Sequence, residues 1–298
     1  MGPAVVDQDK WLLVLDGLVQ QPFAITLTQL RSFPPTTITA FHECYGSPLT
    51  PPEKALWRIG NVTWTGVKLQ TLLDIAKPLG SASFVWSDGL DGGEFAGVRA
   101  DRYQKDLPIE KARSGEVLVA YEMNGAPLRK ERGGPVRLVV PGWFGTNMTK
   151  WLCRLSLQAR RAPSPFTTVW YNERDPAAPG AGATRPVWAV EPNSMITDPP
   201  AGARLTGRGS ADVEVGGWAW SHDGVAEVCV SANDGGCWVA ADVSDRVDFS
   251  WQRFRVSLAL PVGCHYVVAR ATSKAGVPQP MRGRRNHVHR IRLEVAGA

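Results

Sequence analysis

A cysteine stands in the segment 41–46, which reads Phe-His-Glu-Cys-Tyr-Gly. The β-forming run that begins at Thr36 predicts a strand up to this point, so the thiol of Cys44 lies where a strand ends and a turn begins. A thiol there can be a nucleophile, a soft metal ligand or a small buried residue. His42 shares a strand face with Cys44, because strand side chains alternate with a period of two. The segment alone leaves all three roles of Cys44 open.

Basic residues accompany glycine- and proline-rich turns in the segment 124–152. A short apolar run follows Arg137, and a second turn containing Gly145 leads to Lys150. Glycines let backbone N–H groups approach a phosphate closely, and arginine and lysine add charge-assisted hydrogen bonds to it. The segment therefore suits an anionic, phosphate-bearing cofactor. A hairpin with exposed basic residues is the alternative interpretation.

The cysteines and histidines form no other recognisable metal or haem motif. The chain has five cysteines, which are Cys44, Cys153, Cys229, Cys237 and Cys264. None forms a CxxC pair or a CxxCH haem motif, so zinc-ribbon, thioredoxin-type and c-type haem sites are excluded. A disulfide between Cys229 and Cys264 stays open. His287 and His289 share a strand face but have no carboxylate or thiol beside them, so we expect no zinc site there.

Length and hydropathy limit the class of protein. The chain has 298 residues and a net charge of +5, and its length favours two domains. No stretch approaches the roughly 20 apolar residues of a membrane-spanning helix. Residues 1–10 lack the apolar core of a signal peptide, so we expect a cytoplasmic protein as the chain stands. A periplasmic or organellar location stays open if the N-terminus is truncated.

The densest basic patch lies near the C-terminus and consists of Arg282, Arg284, Arg285, Arg290 and Arg292. We interpret it as a solvated edge strand and turn. The alternative is attraction of an anionic substrate or a redox partner.

The elements that must position these residues change in type along the chain. The first part mixes short β runs with a helical pattern over 69–77, which predicts an α+β domain. A Pro-, Gly- and Ala-rich stretch, 172–186, is typical of a linker. After it, six β runs separated by turns predict a β-sandwich, and Asn-Asp-Gly-Gly at 233–236 predicts a hairpin. We place the domain boundary between residues 186 and 187.

Several blocks occur in the order found in the sulfite oxidase family of molybdopterin (molybdenum cofactor) oxidoreductases, and the chain resembles that family over nearly its whole length. The similar blocks are Trp-Leu-Leu-Val-Leu-Asp-Gly at 11–17, Glu-Cys-Tyr-Gly at 43–46, Gly-Asn-Val-Thr-Trp-Thr-Gly at 60–66, Tyr-Glu-Met-Asn-Gly at 121–125, Gly-Pro-Val-Arg-Leu-Val-Val-Pro-Gly at 134–142, Lys-Trp-Leu at 150–152, Asn-Ser-Met-Ile-Thr-Asp-Pro at 193–199 and Val-Cys-Val-Ser-Ala-Asn-Asp-Gly-Gly-Cys-Trp at 228–238. The resemblance implies a molybdopterin-binding oxidoreductase domain, 1–186, followed by an immunoglobulin-like β-sandwich dimerisation domain, 187–298.

The resemblance also implies roles for particular residues. Cys44 would ligate molybdenum as a thiolate, since soft sulfur suits this metal. Trp64 would stand near the substrate pocket, with Tyr171 as a pocket tyrosine. The remaining residues expected at the cofactor are His42, Tyr45, Arg132, Arg137, Gly145, Thr146, Asn147 and Lys150.

The chain departs from the family at two of these places. Sulfite-oxidising members carry arginines after the cysteine, whereas residues 45–49 contain none. Two interpretations of Arg58 stay open: it takes the place of those arginines near a substrate anion, or it is a surface arginine. Arg132 stands where the family has a histidine, so the contacts to phosphate or pterin must differ there.

Three functions follow from these observations. The first is sulfite oxidase-like oxygen-atom transfer, from sulfite to sulfate or on a related small substrate. The second is reduction of an oxyanion such as nitrate, or of an S- or N-oxide, on the same cofactor. The third is a metal-free scaffold or binding protein. No haem or flavin motif is present, so an enzyme would need an external one-electron carrier such as a cytochrome. The resemblance implies a homodimer, and no nucleic-acid partner is expected.

Overall fold

The computed structural model describes residues 4–47, 58–175 and 182–298. The chain divides into two compact units, of which the first contains residues 1–39 and 62–188 and the second contains residues 40–61 and 189–298. The domain boundary after residue 186 stays a prediction.

The described part of the chain up to residue 188 holds four short helices among its strands. In chain order these elements are β1 (Leu12–Gly17), β2 (Phe23–Thr26), α1 (Leu27–Arg31), β3 (Thr36–Glu43), β4 (Ile59–Lys68), α2 (Leu69–Ala76), β5 (Phe84–Gly89), β6 (Gly93–Phe95), β7 (Val98–Ala100), β8 (Gln104–Pro108), α3 (Ile109–Ala112), β9 (Leu118–Met123), β10 (Ala126–Pro127), β11 (Arg137–Val139), β12 (Leu152–Gln158), α4 (Pro165–Thr168), β13 (Asn172–Arg174) and β14 (Thr184–Pro186).

Two sheets organise these strands. One has the order β2-β1-β12-β5-β8, with β1 and β12 parallel, and the other has the order β10-β9-β4-β3, with β11 also paired to β9. Helix α2 matches the predicted helical pattern, because Leu69, Leu72, Leu73 and Ala76 lie on one face and are fully buried. Burying each leucine contributes about 2 kcal/mol, so packing fixes this short helix.

The two ends of the predicted linker form a pair of strands. Strands β13 and β14 pair antiparallel, and the side chains of Glu173 and Arg185 form an ion pair of 2.6 Å across them. Opposite charges on facing positions stabilise a strand pair, which a composition rich in Pro, Gly and Ala does not reveal. The linker prediction was therefore wrong at 172–174 and 184–186, while residues 176–181 lie outside the described residues.

The second unit is a β-sandwich. Its strands after residue 188 are β15 (Asn193–Asp198), β16 (Arg204–Gly207), β17 (Ser210–Trp220), β18 (Val225–Ser231), β19 (Val239–Ala240), β20 (Asp242–Val243), β21 (Gln252–Pro261), β22 (Gly263–Ser273) and β23 (Arg290–Gly297). They form sheets with the orders β15-β17-β21-β20 and β16-β23-β22-β18-β19.

The core of the sandwich contains inward-facing side chains from both sheets. Val215 and Phe254 come from one sheet and Val228 and Leu293 from the other, and all four are fully buried. This arrangement confirms the predicted sandwich. The predicted hairpin at 233–236 is also present, and its Asp234 and Gly235 both have positive φ.

The strand register separates two cysteines that the sequence left as a candidate pair. Cys229 on β18 faces Arg270 on β22, six residues along that strand from Cys264. Six residues of a strand span about 20 Å, far beyond the reach of a disulfide. All five cysteines are free thiols. Among the described helices, none has the length and apolar character needed to cross a bilayer.

Candidate functional site

The cysteine loop, residues 44–47, follows directly on the end of β3. The backbone N–H of Cys44 donates to the Arg58 carbonyl at 2.9 Å, and that of Ser47 donates to the Cys44 carbonyl at 2.9 Å. The Gly46 N–H donates to Cys44 Sγ at 3.3 Å, while Cys44 itself is exposed. The turn therefore presents the sulfur at its surface with a backbone donor beside it. Such a thiol can serve as a metal ligand.

Arg58 lies beside this sulfur. A Cβ added at Gly46 would stand 3.3 Å from Arg58 Nη1 and 3.4 Å from Cys44 Sγ, so the guanidinium and the thiol are close to the same point. The structure thus brings a cation to a loop that has none of its own. The role of Arg58 toward a substrate anion stays a prediction.

A buried carboxyl group immediately precedes the cysteine. Glu43 is 2% exposed and accepts a hydrogen bond from Trp220 Nε1 at 2.9 Å. Burial raises the pKa of Glu43 to about 7, against the opposing effects of the Trp220 hydrogen bond and of the Arg285 charge. The Trp220 indole therefore holds the carboxyl group at the end of β3. His42, the predicted cofactor residue on the same strand, is half-buried.

The loop also makes contacts with Arg285. Its guanidinium carbon lies 3.9 Å from the centroid of the Tyr45 ring, and its Nη1 donates to the Ser47 carbonyl at 3.2 Å. Arg284 is paired with Glu191 at 3.0 Å. The side chains of Arg284 and Arg285 are held by these contacts. The interpretation of the C-terminal basic patch as a solvated edge strand and turn was therefore wrong for these two residues.

A cationic cluster, formed by Arg132, Arg137 and Lys150, lies in the first unit. Arg137 opens β11 and is 5% exposed. Its Nη1 donates to the Arg132 carbonyl at 3.0 Å and its Nη2 to the Met148 carbonyl at 3.1 Å. Its guanidinium stacks on the Trp64 ring at 4.9 Å. Arg137 Nε is buried and has no hydrogen-bond partner among the described residues.

The pKa values in the cluster reflect crowded positive charge. Burial and the neighbouring Arg132 lower the pKa of Arg137 to about 10, with Tyr103 opposing the shift. Burial and Arg137 likewise lower the pKa of Lys150, and Asp91 opposes this. Cations destabilise one another at this proximity unless an anion joins them. Together with the unpartnered Arg137 Nε, this shows that the residues present fit a phosphate-bearing cofactor.

Backbone geometry keeps Lys150 in place. Gly133 has a φ of +94°, and a Cβ added there would lie 2.6 Å from Lys150 Cβ. The Lys150 ammonium lies 4.2 Å from the centroid of the Trp151 ring, and Trp151 has a φ of 47°. Residues held at positive φ often mark functional positions. The close approach of Gly133 explains why this turn contains glycine.

The turn at 145–147 is anchored by a tyrosine that the sequence did not single out. The Tyr103 hydroxyl lies 2.9 Å from Thr146 Oγ1 and also donates to the Thr146 carbonyl, and burial raises the pKa of Tyr103. Asn147 donates to the carbonyls of Phe144 and Val187. Its buried Oδ1 has no partner within the described part of the chain. Gly145 begins this turn, so all three predicted residues belong to one rigid element.

The predicted pocket tyrosine stands next to a buried lysine. Tyr171 has a φ of 58°, and the Lys105 ammonium lies 5.3 Å from its ring centroid. Lys105 is 1% exposed and donates to the Phe166 carbonyl at 2.9 Å. Burial lowers the pKa of Lys105 to about 8, although Asp106 counteracts the shift.

The structure thus groups the predicted residues within each unit. Arg137, Lys150, Trp64 and the 145–147 turn lie in the first unit, while Cys44 and Arg58 lie together in the second. Trp64 is 1% exposed, so it supports Arg137 from within the core, and its role at a substrate pocket stays a prediction. Sequence reasoning missed a further set, which is Tyr103, Lys105, Trp151, Trp220 and Arg285. Within this set, the sequence signals were the arginine run around Arg285 and the Lys-Trp-Leu block that contains Trp151.

Comparison with known proteins assigns the chain to a family. The model of the oxidoreductase molybdopterin binding domain matches residues 1–166, which is more than half of the chain and includes Cys44, Arg137 and Lys150. The chain therefore belongs to this family. That result confirms the predicted family, the oxidoreductase class and the molybdenum cofactor.

Individual relatives agree with the assignment. Human mitochondrial sulfite oxidase is 29% identical over 283 residues, covering 87% of this chain and 51% of the relative. The NADPH nitrate reductase of Beauveria bassiana is 27% identical over 262 residues, covering 78% of this chain and 28% of the relative. The chain spans about half the length of the first sulfite oxidases it matches.

A solved structure is similar over the whole fold. The sulfane dehydrogenase SoxCD of Paracoccus pantotrophus has a TM-score of 0.81 and 27% identity, covering 99% of this chain and 80% of that one. This similarity confirms the fold class predicted from the sequence.

Proposed function

We propose that this protein is a molybdenum-cofactor-dependent oxidoreductase that performs two-electron oxygen-atom transfer on a small sulfur-containing anion, with sulfite as the first candidate. The observation that carries the proposal is Arg137, a buried guanidinium with an unpartnered Nε inside a cluster of cations. A buried charge without an anion is costly, and a cofactor phosphate would offset that cost.

Each part of the chain has a distinct task in this proposal. Cys44 would ligate the metal through its exposed sulfur, with the Gly46 N–H hydrogen-bonded to that sulfur. Arg132, Arg137 and Lys150 would bind the phosphate, and the 145–147 turn would enclose the pterin. When bound, the cofactor supplies the oxygen-atom transfer and the redox chemistry, while the protein supplies binding and orientation.

Arg58 would attract and orient the substrate anion. Its guanidinium lies beside Cys44 Sγ, and guanidinium groups bind oxyanions through paired hydrogen bonds. Tyr171, held over the Lys105 ammonium, would contribute a hydroxyl at the substrate. Sulfane sulfur is the second candidate substrate, because SoxCD is similar over 99% of this chain. Nitrate reduction is the alternative that the Beauveria bassiana relative suggests, whereas family membership argues against a metal-free scaffold.

The reaction needs an electron partner. We propose that an external one-electron carrier such as a cytochrome accepts the electrons. We also propose that the protein acts as a homodimer through its β-sandwich, as the family resemblance implies.

Steady-state assays test the substrate. We expect sulfite oxidation with an artificial one-electron acceptor, and we expect Arg58→Met to raise the KM for sulfite about tenfold, since one charge-assisted contact is lost. Arg113→Met is the matched control, because Arg113 forms an exposed ion pair with Asp74. Nitrate or sulfoxide reduction without sulfite oxidation would contradict the proposed direction and substrate.

A further inference from the structure

The side chain of Arg285 contacts the cysteine loop at two points. Its guanidinium stacks on the Tyr45 ring at 3.9 Å, and its Nη1 donates to the Ser47 carbonyl at 3.2 Å. Tyr45 and Ser47 are the two neighbours of Gly46, whose N–H is bonded to Cys44 Sγ. The Arg285 side chain therefore contacts the residues on both sides of Gly46.

The segment that carries Arg285 is itself anchored on both sides. Arg284 Nη2 donates to both carboxylate oxygens of Glu191 at 3.0 Å. Asn286 Nδ2 donates to the Pro192 carbonyl at 2.8 Å. These neighbours tie the segment to residues 191–192, just before β15, so Arg285 extends to the loop from a fixed support.

The two contacts need the chemistry of arginine. A planar guanidinium can lie flat on an aromatic ring while its N–H groups donate in the same plane, whereas a lysine ammonium is a point charge. The described backbone hydrogen bonds of the loop join Ser47 to Cys44 and Cys44 to Arg58. Arg285 adds a tie from a residue more than 200 positions away in the chain.

We propose that Arg285 is a positioning residue that holds the cysteine loop in the conformation presenting the Cys44 sulfur. What the loop binds rests on the proposed function, but the contact itself does not depend on it. The β-sandwich unit would then have a task at the metal-binding loop in addition to its predicted role in dimerisation.

Hydrogen–deuterium exchange on the full-length protein tests this proposal. The peptide that covers residues 41–47 contains the hydrogen-bonded amides of Cys44 and Ser47. We expect these amides to exchange about tenfold faster in Arg285→Met, since a cation–π contact and a charged hydrogen bond are lost. Arg285→Lys keeps the positive charge but loses the planar guanidinium group. We therefore expect its amide exchange rate to lie between those of the wild type and Arg285→Met.

Arg290→Met is the matched control. Arg290 stacks on the Tyr266 ring at 3.8 Å, so the same kind of contact is lost in the same unit without touching the loop. Exchange in 41–47 should stay at the wild-type rate in this variant. Wild-type exchange in Arg285→Met, or equally fast exchange in Arg290→Met, would overturn the proposal.

A second variant covers the case in which Arg285→Met does not accumulate. Tyr45→Leu removes the ring from the loop side, and we expect exchange about threefold faster than wild type, because the cation–π contact is lost while the hydrogen bond to the Ser47 carbonyl is kept. An unchanged rate would overturn the proposal. A protein that lacks molybdenum would contradict the proposed function but would leave this exchange test of the contact intact.

Discussion

Arg137 and Lys105 are both nearly excluded from water, yet their charges are stabilised differently. Arg137 donates to two carbonyls and has no carboxylate partner among the described residues, whereas Lys105 is adjacent to Asp106 and to a tyrosine ring. Burying a charge costs several kcal/mol unless pairing and hydrogen bonds offset the cost. For Arg137 the anion of the proposed cofactor would be the missing partner. For Lys105 the cost remains in the folded protein and can be measured.

We expect the burial of Lys105 to make stability depend on pH. Its pKa falls from 10.5 to about 8 on folding, so the unfolded chain binds the proton more tightly. The penalty is therefore full below pH 8 and disappears as the pH rises toward 10.5. Relative to Lys105→Met, the wild-type free energy of unfolding should rise by about 3 kcal/mol across this window. Chemical denaturation of both proteins between pH 7 and 10.5 measures this difference.

Comparison of the two proteins isolates Lys105, because the cysteines and the other titrating groups are common to both. Asp106, Arg161 and Tyr171 remain in place in the variant and form the electrostatic surroundings of the site. A difference in unfolding free energy that stays constant with pH, or that falls as the pH rises, would contradict the burial of a charged Lys105.

Among the local elements, the turn at Gly133 has the most direct effect on the candidate site. Its φ of +94° disfavours any residue with a side chain, and an added Cβ would overlap Lys150. We expect Gly133→Ala to lower the free energy of unfolding by about 2 to 4 kcal/mol, from backbone strain and overpacking together. Chemical denaturation measures the loss, and the molybdenum content should fall because Lys150 is displaced.

Gly97→Ala is the control for backbone strain alone. Gly97 has a φ of +78°, and an added Cβ would meet nothing within 4 Å. We expect a loss of about 1 kcal/mol with unchanged molybdenum content. If Gly97→Ala and Gly133→Ala had equal effects, the close packing of Gly133 on Lys150 would have no energetic importance.

Periodicity in the sequence predicted those elements whose burial is one-sided. Helix α2 has four apolar residues on one face, and buried and exposed positions alternate along β21 and β23 as strands of a sandwich should. The pairing of β13 with β14 could not be predicted, because it depends on a cross-strand ion pair within a stretch of linker composition. The residue pattern of a segment predicts whether that segment forms a helix or a strand. It does not predict which other strand the segment pairs with.

The same distinction applies to the candidate site. Cys44, Arg137 and Lys150 stand in blocks of the sequence that resemble the family, and the roles that this resemblance implies for them stay predictions. Tyr103 and Arg285 act through contacts 43 and more than 200 residues away in the chain, and no local pattern records such contacts. The hydrogen bond from Trp220 to Glu43 likewise joins residues 177 positions apart, so no local sequence pattern predicts it.

The two units carry different groups of the predicted site residues. The first unit carries the cationic cluster and belongs to the part that the molybdopterin-binding family model matches. The second unit carries the cysteine loop and the β-sandwich, whose segment around Arg285 contacts that loop.

The metal content of the purified protein tests this account most directly. Expressed in a host with ample molybdenum, the wild-type protein should carry about one molybdenum atom per chain, and Cys44→Ser should carry almost none, because a serine hydroxyl is a poor ligand for a metal that prefers soft sulfur. Cys237→Ser, at an exposed thiol of the sandwich, should keep the metal. Elemental analysis of the three proteins gives the answer, and a wild-type protein without molybdenum, or a Cys44→Ser protein that retains it, would contradict the central claim.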